Sequence, residues 1–129
     1  MSWNDLASNP RVILGYYSAP PALDAVEVHS LALHRDGPTL EMVAELPAFP
    51  DRPSPRWHAS ANAAQARFRF FGLREIRIEG WGVSNVGPLS ISPAPGGVRF
   101  EFRSGTASCI GVSDRFDVTE IRAYTRGTA

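Results

Sequence analysis

Residues 66–80 constrain this chain more than any other stretch. Ala66, Phe68 and Phe70 alternate with Arg67 and Arg69, and Ile76, Ile78 and Gly80 alternate with Arg77 and Glu79. A period of two places the apolar set on one face of an extended strand and the charges on the other, whereas a helix would mix them. The chain is therefore expected to build its core from sheet. Gly72 falls between the two runs. It predicts two strands with a short connection, lying as antiparallel neighbours. Ahead of them, residues 47–56 hold four prolines and close on Trp57, the mark of a stiff irregular loop. Trp81 ends the block.

The same period recurs elsewhere. Val26 and Val28, then Leu31 and Leu33, alternate with a phase slip at His29-Ser30, which predicts a bulge or two short strands. Asp36-Gly37 is a two-residue hairpin signal, with Pro38 at a strand start or edge. Leu40, Met42, Ala44 and Leu46 alternate with Glu41, Val43 and Glu45. Leu89 and Ile91 suggest a short strand. Val98, Phe100 and Phe102 alternate with Arg99, Glu101 and Arg103, and residues 106–112 and 117–125 supply two last strands. Residues 2–17 read as helical, with Asn9 as cap and Pro10 at the first helical position; Pro20-Pro21 ends the segment. Residues 126–129 should fray. The expected architecture is mainly β: an antiparallel roll or sandwich of about seven or eight strands. Residues 1–129 form one domain, with a helical N-terminal segment over 1–24 packing on a β domain over 25–125.

Composition narrows function mostly by exclusion. The 13 basic residues, all arginine, balance 13 acidic ones. Zero net charge argues against a general nucleic-acid binder and against a basic membrane-surface protein. Cys109 is the single cysteine, so no internal disulfide framework exists. The first residues lack the basic-then-apolar pattern of a signal peptide, and no apolar run reaches the ~20 residues of a spanning helix. A soluble, cytoplasmic protein is expected.

Catalytic signals are weak. His29 and His34 differ by five and should occupy opposite strand faces, with no Cys, Asp or Glu beside them at ligand spacing. His58 falls in a loop. Cys109, in a strand, has neither a helix dipole nor a predictable base to activate it and reads as a small buried side chain. No nucleophile elbow or phosphate-loop spacing occurs. Catalytic residues, metal ligands and cofactors are therefore expected to be none.

The polar face offers more. Glu41, Glu45, Arg67, Arg69, Arg77 and Glu79 each lie on the charged side of a strand. Cross-strand pairing within the sheet is one reading. Docking of a protein partner is the other, since arginine is enriched at interfaces and charge complementarity sets specificity. Trp57, beside Arg52 and Arg56 on a stiffened loop, joins that candidate set as an anchor. Trp57 and Trp81 together could instead stack on a sugar.

In order along the chain, several landmarks resemble the immunity protein 50 family of bacterial polymorphic-toxin systems. They are Ser2-Trp3, Pro20-Pro21, His34-Arg35-Asp36-Gly37-Pro38, Leu46-Pro47 through Phe49-Pro50, Pro55-Arg56-Trp57, Gln65 and Gly80-Trp81. The resemblance implies a small intracellular protein that binds and neutralises a cognate toxin domain, without catalysis or cofactor. It carries no binding residues with it. The alternative is a small-ligand or carbohydrate-binding β module. An exposed edge strand leaves the protein a monomer or a homodimer.

Overall fold

The computed structural model describes residues 2–126. Seven antiparallel strands form one sheet curled into a half-barrel: β1 (Val26–His34), β2 (Thr39–Glu45), β3 (Ala63–Gly80), β4 (Val86–Gly87), β5 (Leu89–Ala94), β6 (Gly97–Arg103) and β7 (Ala107–Tyr124). Their spatial order is β4-β1-β2-β3-β7-β6-β5.

The expected mainly-β fold is present, but its centre differs from the sequence reading. The runs around Gly72 are not two neighbouring strands. They are the halves of one 18-residue strand, β3. Residues 106–112 and 117–125 likewise merge into the 18-residue β7. The two pair with each other from Ala63↔Tyr124 to Gly80↔Ala107. Gly72 bends the strand rather than ending it. It sits at φ +66°, a left-handed conformation that glycine adopts without strain, and a Cβ there would meet the Asp114 side chain at 2.3 Å. Just beyond it Leu73 opposes Ser113 and Glu75 opposes Val112, so Arg74 is an extra residue. The bulge aims its guanidinium at the β5–β6 turn, where it donates to the carbonyls of Pro95 (2.7 Å) and Gly96 (2.6 Å).

The other expected bulge occurs where the phase slipped: Val28 opposes Ala44 and Ser30 opposes Val43, leaving His29 extra. Pro38 lies in a four-residue turn rather than opening β2, and its carbonyl accepts from Leu73 N–H at 3.0 Å.

Alternation builds the core as read. Leu40, Met42, Phe68, Phe70, Phe100, Phe102, Phe116 and Val118 are buried on the inner face. The Phe70 ring stacks on Phe100 with centroids 3.9 Å apart and on Phe116 at 5.6 Å.

The N-terminal segment is less helical than expected. It holds a 3-10 turn over Trp3–Leu6 and a single-turn helix, α1 (Arg11–Leu14). Asn9 does not cap α1. Its side chain instead donates to Val118 C=O (2.8 Å) and accepts from Val118 N–H (3.0 Å). The physical reason is edge protection. The β6–β7 pairing stops at Val98↔Ser113, leaving one edge of β7 bare beyond it. Ser8 N–H, bonding Phe116 C=O at 2.8 Å, and Asn9 satisfy that edge. Trp3 packs on Phe68 and Phe116, and Ile13 and Tyr17 are buried in the same core. Of the residues expected to fray, 127–129 lie outside the described residues.

Candidate functional site

The outer face of β2, β3 and β7 gathers most of the charged candidates into one network. Arg67 opposes Val43 and reaches both ways: its guanidinium donates to Glu41 at 3.0 Å and lies 3.1 Å from Glu120. Arg69 meets its cross-strand partner Asp117 in a two-pronged bond, Nε to Oδ1 at 2.9 Å and Nη2 to Oδ2 at 2.7 Å. That fork raises the Arg69 pKa above its ordinary value. Arg69 and Arg115 also place guanidinium groups over Phe71, 5.0 and 4.5 Å from the ring centroid. The arginines of this face are thus held in fixed geometry by neighbours.

One of those neighbours is strained. Gln65 opposes Arg122 and Arg67 opposes Thr119, so β7 takes one residue more than β3 at this step. Glu120, within that bulge, has φ +52°, a positive value for a residue with a side chain. The strain turns its carboxylate onto Arg67.

At the end of the network, Glu45 directly opposes Glu27, an unfavourable like-charge pair. Arg126 lies between them, 3.0 Å from Glu45 and 3.2 Å from Glu27, and the Tyr124 hydroxyl donates to Glu45. Burial and the Glu45 contact together hold the Tyr124 pKa above its ordinary value. His29 joins this group, with one ligand atom each from Glu27, His29 and Glu45 lying within 4.8 Å of one another. His34 lies 3.6 Å from Glu41. Carboxylates therefore do stand beside both histidines, contrary to expectation: Glu27 from two residues earlier on the same strand, and Glu45 and Glu41 from across the β1–β2 register. Arg126 pairs with both carboxylates beside His29 and offsets one of their two charges. His58 contacts Ser60 in an exposed loop, 2.7 Å from its hydroxyl. The histidines occupy three separate places.

The remaining candidates lie elsewhere. Trp57 stacks on Tyr16 with rings 5.1 Å apart and meets the edge of Phe49, so it ties the proline loop to the N-terminal segment. Tyr17 hydroxyl to Ala48 C=O (2.6 Å) and Arg52 N–H to Tyr16 C=O (2.9 Å) fasten the same junction. Trp57 and Trp81 line separate crevices, so they offer no shared sugar platform. Arg77 and Glu79 lie on the outer half of β3, only loosely paired at 3.9 Å and largely exposed. Cys109 is fully buried opposite Ile78 and Phe102, and burial pushes its thiol up to about 12.

Residues outside the candidate docking set complete the picture. Asp117 and Glu120 hold the outer-face arginines, and only cross-strand register identifies them. A second surface is apolar: Leu33, Ile76, Ile78, Trp81 and Val83 are exposed near the outer half of β3, with Val83 entirely so. The loop that carries Trp81 and Val83 is braced by buried Asn85, which bonds Gly82 N–H and C=O and accepts from Thr106.

The family model for immunity protein 50 matches residues 9–124. This chain belongs to the immunity protein 50 family. No curated protein and no solved structure matches it. The immunity protein 50 match covers every strand, and hence the outer-face network and the apolar strip alike.

Proposed function

We infer that this protein binds and neutralises a cognate bacterial toxin domain by stoichiometric protein–protein contact, inside the producing cell and without catalysis. The family match over residues 9–124 carries the reading. The docking face we assign is the outer face of β2, β3 and β7, centred on Glu41, Arg67, Arg69 and Asp117. Its side chains are pre-ordered by mutual pairing, so little conformational entropy is left to lose on binding. Both charge signs are displayed at fixed positions, which favours specificity for one toxin over its relatives. Strain at Glu120 lies within the same face, where a binding role accounts for a conformation that stability alone disfavours.

The test is co-expression with the toxin domain encoded beside this gene. Survival of the cells, with a stable complex recovered on purification, is the expected result. Cell death together with no complex would end the immunity reading.

A further inference from the structure

Among the described residues, the outer half of β3 presents an unpaired strand edge. β2 pairs with β3 only as far as Thr39↔Phe71, and Leu73 N–H then bonds Pro38 C=O. Beyond that point β7 is the only strand paired with β3, among the described residues. The other edge of β7 is covered by Ser8 and Asn9, but among the described residues nothing comparable covers β3. Residues 74–80 are all exposed. Ile76 and Ile78 share the side of Cys109 and Gly111, and Leu31, Gly80 and Trp81 border one shallow apolar crevice with Ile78. Bare backbone beside exposed isoleucines is what a monomeric sheet normally blunts.

We propose that the outer half of β3 pairs antiparallel with the same segment of a second copy, making a two-fold symmetric dimer through a β3–β3 junction. The charge pattern points to a second copy as the occupant, and together with the Arg74 bulge it selects the register. The segment reads Glu75-Ile76-Arg77-Ile78-Glu79. A two-fold axis through Ile78 sets Arg77 against Glu79 and Glu79 against Arg77, with Ile78 on itself and Ile76 opposite Gly80. Two complementary pairs then flank an apolar centre. An axis through Arg77 would oppose Arg77 to itself and Glu75 to Glu79, all like charges. A slip of one residue would put Arg77 against Ile78 and is forbidden by the pleat. An axis through Ile76 would also pair Glu75 with Arg77, but it runs into the Arg74 bulge and leaves Glu79 facing Leu73. Within one chain Arg77 and Glu79 are held only loosely, so both are available to a partner copy. The junction lies on the half of β3 away from Arg67 and Arg69, so each copy keeps its outer-face network free.

Light scattering on a size-exclusion column, over a wide concentration range, tests this without any toxin. The wild-type protein should form a concentration-dependent dimer. Arg77→Glu alone and Glu79→Arg alone should each weaken it by roughly tenfold, since each turns two attractive pairs repulsive. Arg77→Glu combined with Glu79→Arg should restore it. The side chains are exposed, so melting temperatures should stay near wild type and separate a lost dimer from a lost fold. A monomer at every concentration, a dimer indifferent to the single swaps, or a double swap that fails to recover would each overturn the proposal. A monomer whose toxin complex responds to these swaps would assign the edge to the toxin instead.

Discussion

Glu120 combines a backbone cost with a side-chain gain. Left-handed backbone disfavours a residue with a Cβ by about 1–2 kcal/mol relative to glycine. Its carboxylate, 3.1 Å from Arg67 and about half exposed, returns at most ~1 kcal/mol. Replacing the residue separates the two. Glu120→Gly and Glu120→Ala both lose the carboxylate, but only glycine relieves the strain. The glycine variant should therefore be more stable than the alanine variant by about 1 kcal/mol in urea unfolding. Equal stabilities would mean that the bulge accommodates a side chain without cost. Asn9 shows the same tension between local and long-range preference. Its neighbour Pro10 makes it a helix cap by local rules, yet its two bonds go to Val118, more than a hundred residues away. Asn9→Ala should lower stability by about 1–2 kcal/mol in the same assay, through two lost bonds on a strand edge. A loss of a few tenths would show water replacing the side chain there.

At the level of elements, the sheet was legible where contacts are local and illegible where they are not. Val28, Leu40, Met42, Phe68, Phe70, Phe100 and Phe102 all fall inward as their alternation requires. The bulge at His29 shows as a phase slip because it displaces one strand's own pattern. Gly72 misleads because glycine either ends a strand or bends it, and the decision belongs to the partner. β7 runs alongside both halves of β3, so the bend is bridged by residues roughly forty positions later. The outer-face arginines were legible, but Asp117 and Glu120, which hold them, became apparent only with the register of β7. Nor could alternation show that Ile76 and Ile78, rightly placed on one face together, are exposed there. The proline loop is an element of a different kind, fixed by polar anchors. Hydrogen bonds from the Ser18 hydroxyl and N–H hold Asp51 below the usual carboxylate range. A depressed folded-state pKa contributes stability above the unfolded value, roughly pH 4, and that contribution is lost as pH falls through the folded value. The Ser18–Asp51 link should therefore hold at neutral pH and release in acid. Amide exchange of Ser18 should rise below roughly pH 4 beyond the intrinsic trend, and in Asp51→Asn that acid-dependent rise should be absent. A Ser18 amide equally protected in acid would show that the anchor does not depend on the charge.

For the whole molecule, the question is whether the outer face is a stabilising lattice of ion pairs or a docking surface as well. Simple charge reversal cannot answer it. Arg69→Glu would leave Asp117, only 15% exposed in its side chain, facing a second carboxylate, and would damage fold and surface together. Exchange of the pair avoids this. Arg69→Asp with Asp117→Arg keeps an opposite-charge cross-strand pair while inverting the pattern presented outward. If the face serves stability alone, the exchanged protein should melt within a few degrees of wild type and bind the toxin unchanged. If the toxin docks there, the melting temperature should again hold, but affinity should fall by about 2–3 kcal/mol, near a hundredfold, because charges complementary to the partner become repulsive. Titration calorimetry beside thermal melting reads both quantities on the same sample. The exchange also leaves Arg77 and Glu79 untouched, so the β3–β3 dimer should persist in a variant that has lost the toxin. Retained dimer with lost toxin binding would show two surfaces on one bent strand, one half of β3 given to the toxin and the other to a second copy. Unchanged affinity would place the docking site off the outer face and make the apolar strip the next surface to mutate.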